Sequence, residues 1–551
     1  MEKFENFIYN LLSSRAKKML MILATLGIFF ASLLLLPFEI VLAKMLPDKS
    51  ANTFSIYIDT PTGSAISKTK ALSDCVINEL KKEKNIINME LFLGGGAPLD
   101  YAGLVKGSYF KNSKNLAEIV VNLNSKKDRD ESTFEMASRI RPNILSKCEP
   151  KKTNSVIKLI QQPAGPPTLA SLVVELYGEN TQGLRELSHE IANILEKTDG
   201  LVDVDVMSDD IYKTYKLSVD KEKILRSALS IKQVNEILYL AFEGSVVAAK
   251  NSPNFPEQIG LFVRLNEQTK SLDESSVSAL KNKLSSLKLM NTKGLMIPLS
   301  ELVEIKKTNS NPTIMTKNLH QYINVIAETD MVSQVYPLLD ARASIKETLK
   351  DKYEISSAGL FDYKIKDKKG NIYTLKWDGE MKVSLDTFRD LGIAFITALV
   401  LIFFLLVMYY KSFAIGGAIL SASFLSLFGV ILGHWFIDIF TPNTFFLTAT
   451  SLIGFIVLMG ISSRNSMLLV DFAKLLMYER NVEKRRAIAI ATATRAKPIF
   501  LTAGTVVLAS LMLVTDPIFS GLGASLIFGT SAGILVSLLF VPVLLDNMKK
   551  I

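Results

Sequence analysis

The chain has 551 residues, with 63 Lys and Arg against 54 Asp and Glu, a formal charge of +9, 48% hydrophobic residues and 21% charged. That length excludes a single compact domain and points to roughly three or four units. Two cysteines, Cys75 and Cys148, exclude a disulfide-rich scaffold and an all-cysteine zinc site, and three separated histidines argue against a histidine metal centre. Apolar residues crowd into 19–43 and 391–545, while the stretch between reads as ordinary soluble protein.

A bilayer core needs about 20 apolar residues per helix. Residues 1–18 read as an amphipathic lead-in, and 19–43 as a first span, taken as a retained anchor because it is longer than a signal-peptide core. Val41-Leu42-Ala43 does resemble a cleavage site. Five more spans are expected at 391–410, 413–433, 445–466, 498–515 and 521–545, followed by a tail at 546–551. Arg15, Lys17 and Lys18 precede span one, Lys411 follows span two, and Lys474, Arg480, Lys484, Arg485, Arg486, Arg495 and Lys497 separate spans four and five. Lys549 and Lys550 close the chain, whereas the loops at 434–444 and 516–520 carry no Lys or Arg. The basic side stays in the cytoplasm, so both termini are expected there. The net charge is then a topogenic signal rather than a sign of nucleic-acid binding.

The insert shows a recurring strand–helix–strand cycle. Residues 53–59 alternate apolar and polar, Leu72, Val76 and Leu80 follow at helical spacing, and 86–93 read as a second strand. Strand 116–123, a helix opening at a Ser132–Glu135 capping box, and strand 155–160 repeat the cycle. Two such units imply a ferredoxin-like βαββαβ module over 44–162. After a stiff linker, Gln161 to Pro167, strand 170–177, a helix with Leu184, Leu187 and Ile191, and strand 201–206 begin a second module over 163–210. Its second half, strand 322–327, a helix at 335–350 and a strand near 353–357, falls within 312–358. Residues 211–311 are then an inserted subdomain, for docking or as a loop elaboration, and 359–390 a connector.

The segments GISSRNSMLLVDFA (460–473), RAKPIFLT (495–502) and TDPIFSGLGA (515–524) resemble the last three membrane helices of resistance-nodulation-division (RND) efflux permeases of the acriflavin-resistance branch. KMLPDKS (44–50), GPPTLASLVVELYG (165–178) and WDGEMKVSLDTFRDLGIAF (377–395) extend the likeness over nearly the entire chain. The resemblance implies the C-terminal half of a proton-driven inner-membrane exporter: six transmembrane helices, a periplasmic α+β insert of ferredoxin-like porter modules, and a docking subdomain. It further implies a trimer, a periplasmic adaptor, an outer-membrane channel and a separate N-terminal half permease.

By motif position Arg464 falls where multidrug members have an ion-pairing Lys, and Thr502 where they have a relay hydroxyl; Asn465 is the third relay candidate. An intramembrane cation costs at least about 2.5–3.5 kcal/mol on insertion scales, so it faces a partner, faces a water cavity or snorkels to the headgroups. Arg stays protonated and responds to a carboxylate rather than carrying the proton itself. Glu39, Asp438, Asp471 and Asp546 all fall near span ends, so the mid-membrane acidic pair must come from elsewhere. Gly94, Gly95 and Gly96 sit where the family places a substrate-path loop, or form an ordinary glycine turn. A bond between Cys75 and Cys148 is left open. No nucleophile with a base, phosphate loop, cofactor motif or metal-ligand spacing stands out, which disfavours an enzyme. The competing reading is a non-transporting remnant of a pump gene, or an accessory binding or assembly protein.

Overall fold

The computed structural model describes residues 2–47, 50–162, 165, 168–266, 276–330, 333, 335–359, 361–441 and 443–548. Linker residues Pro163, Ala164, Pro166 and Pro167 and the closing lysines Lys549 and Lys550 lie outside these. Two compact units result, Asp209–Thr313 and the remainder of the chain.

Among the described residues six helices are long and apolar enough to cross a membrane: Arg15–Leu34, Glu380–Tyr410, Phe413–Phe440, Ala449–Tyr478, Lys484–Val514 and Ser520–Asn547, spans one to six below. Several bounds differ from the sequence expectation. The first helix stops at Leu34 rather than running to residue 43, because Pro37 has no N–H to continue the ladder, and a turn closes through Ile40 N–H to Leu35 O. Spans two, four and five extend well into charged sequence, to Glu380, Tyr478 and Lys484. Hydropathy marks only the apolar part of a helix, whereas the backbone ladder continues wherever no breaker intervenes. The basic residues Lys484 to Lys497 are therefore helical, not a loop. The leading helix Glu2–Ser13 buries Ile8 and Leu12 in the core of the bundle.

In the first sheet module, β1 (Thr53–Asp59), β2 (Ile86–Leu93), β3 (Leu116–Leu123) and β4 (Val156–Ile160) form an antiparallel sheet of order β2-β3-β1-β4. Helices Ile66–Leu80 and Thr133–Cys148 cover one face, enclosing Phe54, Ile56, Ile58, Val76, Ile119 and Met136, each side chain contributing about 1.5–3 kcal/mol on burial. The Ser132–Glu135 capping box forms. Cys75 and Cys148 are bonded, their Cα atoms 5.8 Å apart, tying the two helices together.

The second module begins with β5 (Leu172–Tyr177) and β6 (Leu201–Met207), flanking helix Thr181–Leu195. The inserted unit then contains the pairs β7 (Lys213–Val219) with β12 (Val303–Asn309), β8 (Ser245–Lys250) with β9 (Ile259–Val263), and β10 (Lys288–Met290) with β11 (Met296–Pro298). Ile224, Val234, Leu284, Leu299 and Leu302 make its core.

The second module resumes with β13 (Thr316–Lys317), β14 (His320–Thr329), helix Val335–Leu349, β15 (Glu354–Ser357), β16 (Tyr363–Lys366) and β17 (Ile372–Asp378). The order is β13-β14-β5-β17-β16-β15, with β6 also on β14. Two expectations need correcting. Residues 359–390 are not a plain connector, since they supply β16, β17 and the start of span two. The strand near 353–357 exists, but β17 takes the place beside β5, because Tyr373, Leu375 and Trp377 alternate into the core while β15 is short and mostly exposed.

Candidate functional site

Span four opens at Thr448, whose side chain accepts from Ser451 N–H in a capping box. Within it Ser462, Ser463, Asn465 and Ser466 are buried, while Arg464 is exposed. Successive helical residues turn by about 100°, so four of these five positions share the inner arc and Arg464 is left outside it. Thr502, on span five, is also exposed, and its hydroxyl donates 3.1 Å to Ile499 O of its own helix. The three relay candidates thus do not converge: Asn465 faces the bundle core, and Arg464 and Thr502 face out of it.

Among the described residues Arg464 has no ion pair. Three of the bundle's acids are engaged elsewhere. Asp471 accepts from Tyr410 Oη at 2.7 Å, while Lys474 lies over the Tyr410 ring. Asp546 pairs with Lys18 at 2.7 Å and Arg485 at 3.3 Å. Asp438 accepts from Phe445 N–H at 2.6 Å.

Gly94, Gly95 and Gly96 open the segment joining β2 to β3. Gly94 has φ +77° and donates to Leu116 O at 2.9 Å; Gly96 donates to Lys111 O at 3.1 Å. A Cβ on Gly96 would stand 2.3 Å from Ser108 O, so only glycine fits there. Ala97 N–H and the Ser55 and Ser108 hydroxyls all donate to the buried Glu118 carboxylate. These anchors hold a strap whose outer surface exposes Leu99, Tyr101, Leu104, Tyr109 and Phe110.

Sequence reasoning missed the seam between the two sheet modules. Edge strand β4 meets edge strand β6, yet they share no ladder. A bulge in the β6–β14 pairing falls at Asp203, φ +54°, and its carboxylate accepts Leu159 N–H at 2.9 Å. Arg141 binds Asp203 and Asp330, Lys158 binds Asp59 and Asp205, Lys111 binds Asp59, and Lys106 binds Glu328 at 2.6 Å. Burial opposes charge on Asp59, but Lys158 and Lys111 hold its carboxyl below the usual carboxylate range. Burial also opposes charge on Lys158, which Asp205 and Asp59 nevertheless hold above its ordinary value. At Glu328 burial is overcome by Lys106, and the carboxyl is lowered. At Asp203 burial wins over Arg141 and the carboxyl is raised. No signal along the sequence pairs these residues, which lie up to 222 positions apart.

The described residues thus combine six membrane-length helices with sheet-rich modules between the first and the second. The AcrB/AcrD/AcrF family model matches residues 1–548, and the chain belongs to that family. It is 22% identical over 528 residues to the swarming motility protein SwrC of Bacillus subtilis, covering 94% of this chain and 45% of that protein. It is likewise 22% identical to the multidrug resistance protein MdtC of Proteus mirabilis, over 87% of this chain and 42% of MdtC. To the cobalt-zinc-cadmium resistance protein CzcA of Cupriavidus metallidurans it is 24% identical, over 72% of this chain and 37% of CzcA. The chain thus spans less than half the length of these relatives. The crystal structure of a heavy metal efflux pump superposes with a TM-score of 0.73 at 15% identity, covering 100% of this chain and 51% of the pump, a likeness of fold.

Proposed function

We propose that this chain is the C-terminal half of a proton-driven RND efflux transporter, working against a complementary six-helix bundle supplied from outside residues 1–551. The observation that carries this reading is Arg464: a membrane-span cation on the outer face of its helix, without an acid among the described residues. A lipid-facing charge at this depth is costly, so a partner carrying carboxylates is the natural complement. Proton uptake belongs to those carboxylates, and Arg464 answers their change of charge. Thr502, also outward, supplies a hydroxyl on the neighbouring span.

The two sheet modules act as ferredoxin-like porter modules in the periplasm, and 209–313 as the docking unit. The disulfide suits an oxidising compartment, and the basic residues at the opposite end of the bundle suit the cytoplasm, with both termini there. A trimer with a periplasmic adaptor and an outer-membrane channel completes the machine in the inner membrane. Transport, not catalysis, is its work, and a family match spanning residues 1–548 weighs against a non-transporting remnant. Ethidium, Zn²⁺ and Cd²⁺ efflux from cells expressing this chain with a complementary six-span half tests the reading. Export of one probe that collapses on Arg464→Ala supports it; export unchanged by that substitution, or no association with any such half, overturns it.

A further inference from the structure

His434 lies in the middle of span three's second segment, Phe428–Phe440, and is wholly buried. An ionisable side chain inside a membrane bundle is kept only where its surroundings give it a use or a full set of partners. Nδ1 is 2.8 Å from Val430 O, which can only accept, so Nδ1 carries the hydrogen and Nε2 is left with its lone pair. That lone pair faces Ser451 Oγ at 2.9 Å.

Ser451 is not the end of the contact. Its hydroxyl is 3.1 Å from Thr448 Oγ1, which is 2.8 Å from Thr450 Oγ1, which in turn donates at 3.1 Å to Ile518 O in the segment joining spans five and six. An unbroken file of three hydroxyls therefore links the Nε2 lone pair to the end of the bundle where Lys44 N–H bonds Leu447 O, the end that carries the sheet modules. Gly521 brings span six so close that a Cβ there would stand 2.3 Å from Thr448 Oγ1 and 2.4 Å from Ser451 Oγ, which closes the file off sideways.

The ionisable groups around the ring are few. The Ser520–Leu535 part of span six contributes none, and residues 441–448 contribute none. Span four has no charged residue before Arg464, which faces outward. Span one, which also packs on this segment, carries Arg15, Lys17 and Lys18 at its far end, with Glu39 beyond its near end. On span three itself Asp438 follows one turn later, with its carboxylate on Phe445 N–H.

We infer that His434 is a proton-binding site within this chain's own bundle, filled from the module-bearing end through Thr450, Thr448 and Ser451. In the filling step a hydronium ion at the Thr450 end of the file breaks one O–H bond and becomes water, each hydroxyl accepts one proton and passes on another, and Ser451 delivers its proton to Nε2. One N–H bond forms, the hydroxyls are left neutral, and the ring becomes an imidazolium. Asp438 is the acid on the same helix that can offset its charge. The site is separate from the Arg464 face and goes beyond the proposed coupling there.

The test needs no transport, so its outcome is independent of the efflux reading. His189 and His320 are exposed, and the sequence contains only three histidines. The full chain bearing His189→Gln and His320→Gln, ring-¹⁵N labelled and held in lipid nanodiscs, therefore reports His434 alone. Between about pH 8 and about pH 4, a range bracketing the ordinary histidine pKa of about 6.5, the Nε2 resonance is expected to move to the imidazolium position. Persistence of the neutral Nδ1–H ring throughout overturns the proposal and makes His434 a packing group. Thr450→Val leaves the helix cap intact and is expected to slow proton exchange at the ring at least about tenfold; an unchanged rate overturns the route.

Discussion

Cations in two regions of this molecule meet opposite fates. At the seam between the sheet modules the side chains of Lys106, Lys111, Arg141 and Lys158 are withdrawn from water, and each finds a carboxylate within the chain. On span four Arg464 is exposed and finds none among the described residues. The contrast shows where the chain completes itself and where it looks outward. A buried charge must be paired locally, because desolvation cannot otherwise be offset, whereas a charge on an outer face can wait for another surface. The hydrophobic clusters agree: the cores of the two modules remain separate, so the seam is held mainly by polar contacts.

The contrast can be broken most directly at Lys158. Lys158→Met leaves Asp59 and Asp205 without their shared cation, and should cost about 3–5 kcal/mol, read as a lower thermal midpoint and faster hydrogen exchange at β4 and β6. A neutral outcome would show that the seam does not depend on its charges. Cys75→Ser should cost about 2–5 kcal/mol, confined to the first module, with exchange in β5 and β14 unchanged. Loss spread over both modules would mean that they unfold as one.

Acid should come next in effect. Asp59 and Glu328 are lowered in the folded chain, so the stability they confer is present above the unfolded carboxylate pKa of about 4 and is lost as pH falls through their folded values. Asp203, raised by burial, acts in the opposite sense, opposing folding as pH rises through its own value. The thermal midpoint should therefore change little between about pH 5 and 8 and fall below about pH 4; a midpoint that instead drops as pH is raised toward neutrality would make Asp203 the controlling group. The smallest stability effect is expected at Arg464→Ala, within about 0.5 kcal/mol, because the side chain loses no internal partner. A large loss there would reveal an internal contact and remove the contrast.

The fold was legible where a local pattern carried it. Alternation announced β1, and the Ser132–Glu135 spacing announced a helix start that forms as expected. β17 was equally legible in the alternation of Tyr373, Leu375 and Trp377, but a module already supplied with four strands hid it. The site was less legible. The sequence singled out Arg464, Asn465 and Thr502 as one group, and only helical phase shows that Asn465 turns inward while the other two turn out. Gly96 was read as part of a substrate-path loop or of an ordinary glycine turn; in the structure Ser108 O leaves no room there for a Cβ.

By itself the sequence determined the number of membrane-length helices, the basic end of the bundle and the strand–helix cycle of the first module, because each depends on neighbours along the chain. Tertiary structure alone decided the Cys75–Cys148 bond, the charged seam and the enclosure of His434, because each depends on groups brought together from distant elements. Periodicity reports which face of an element avoids water. It does not report what that face meets, and for a charged or titratable side chain the meeting sets both its energy and its use.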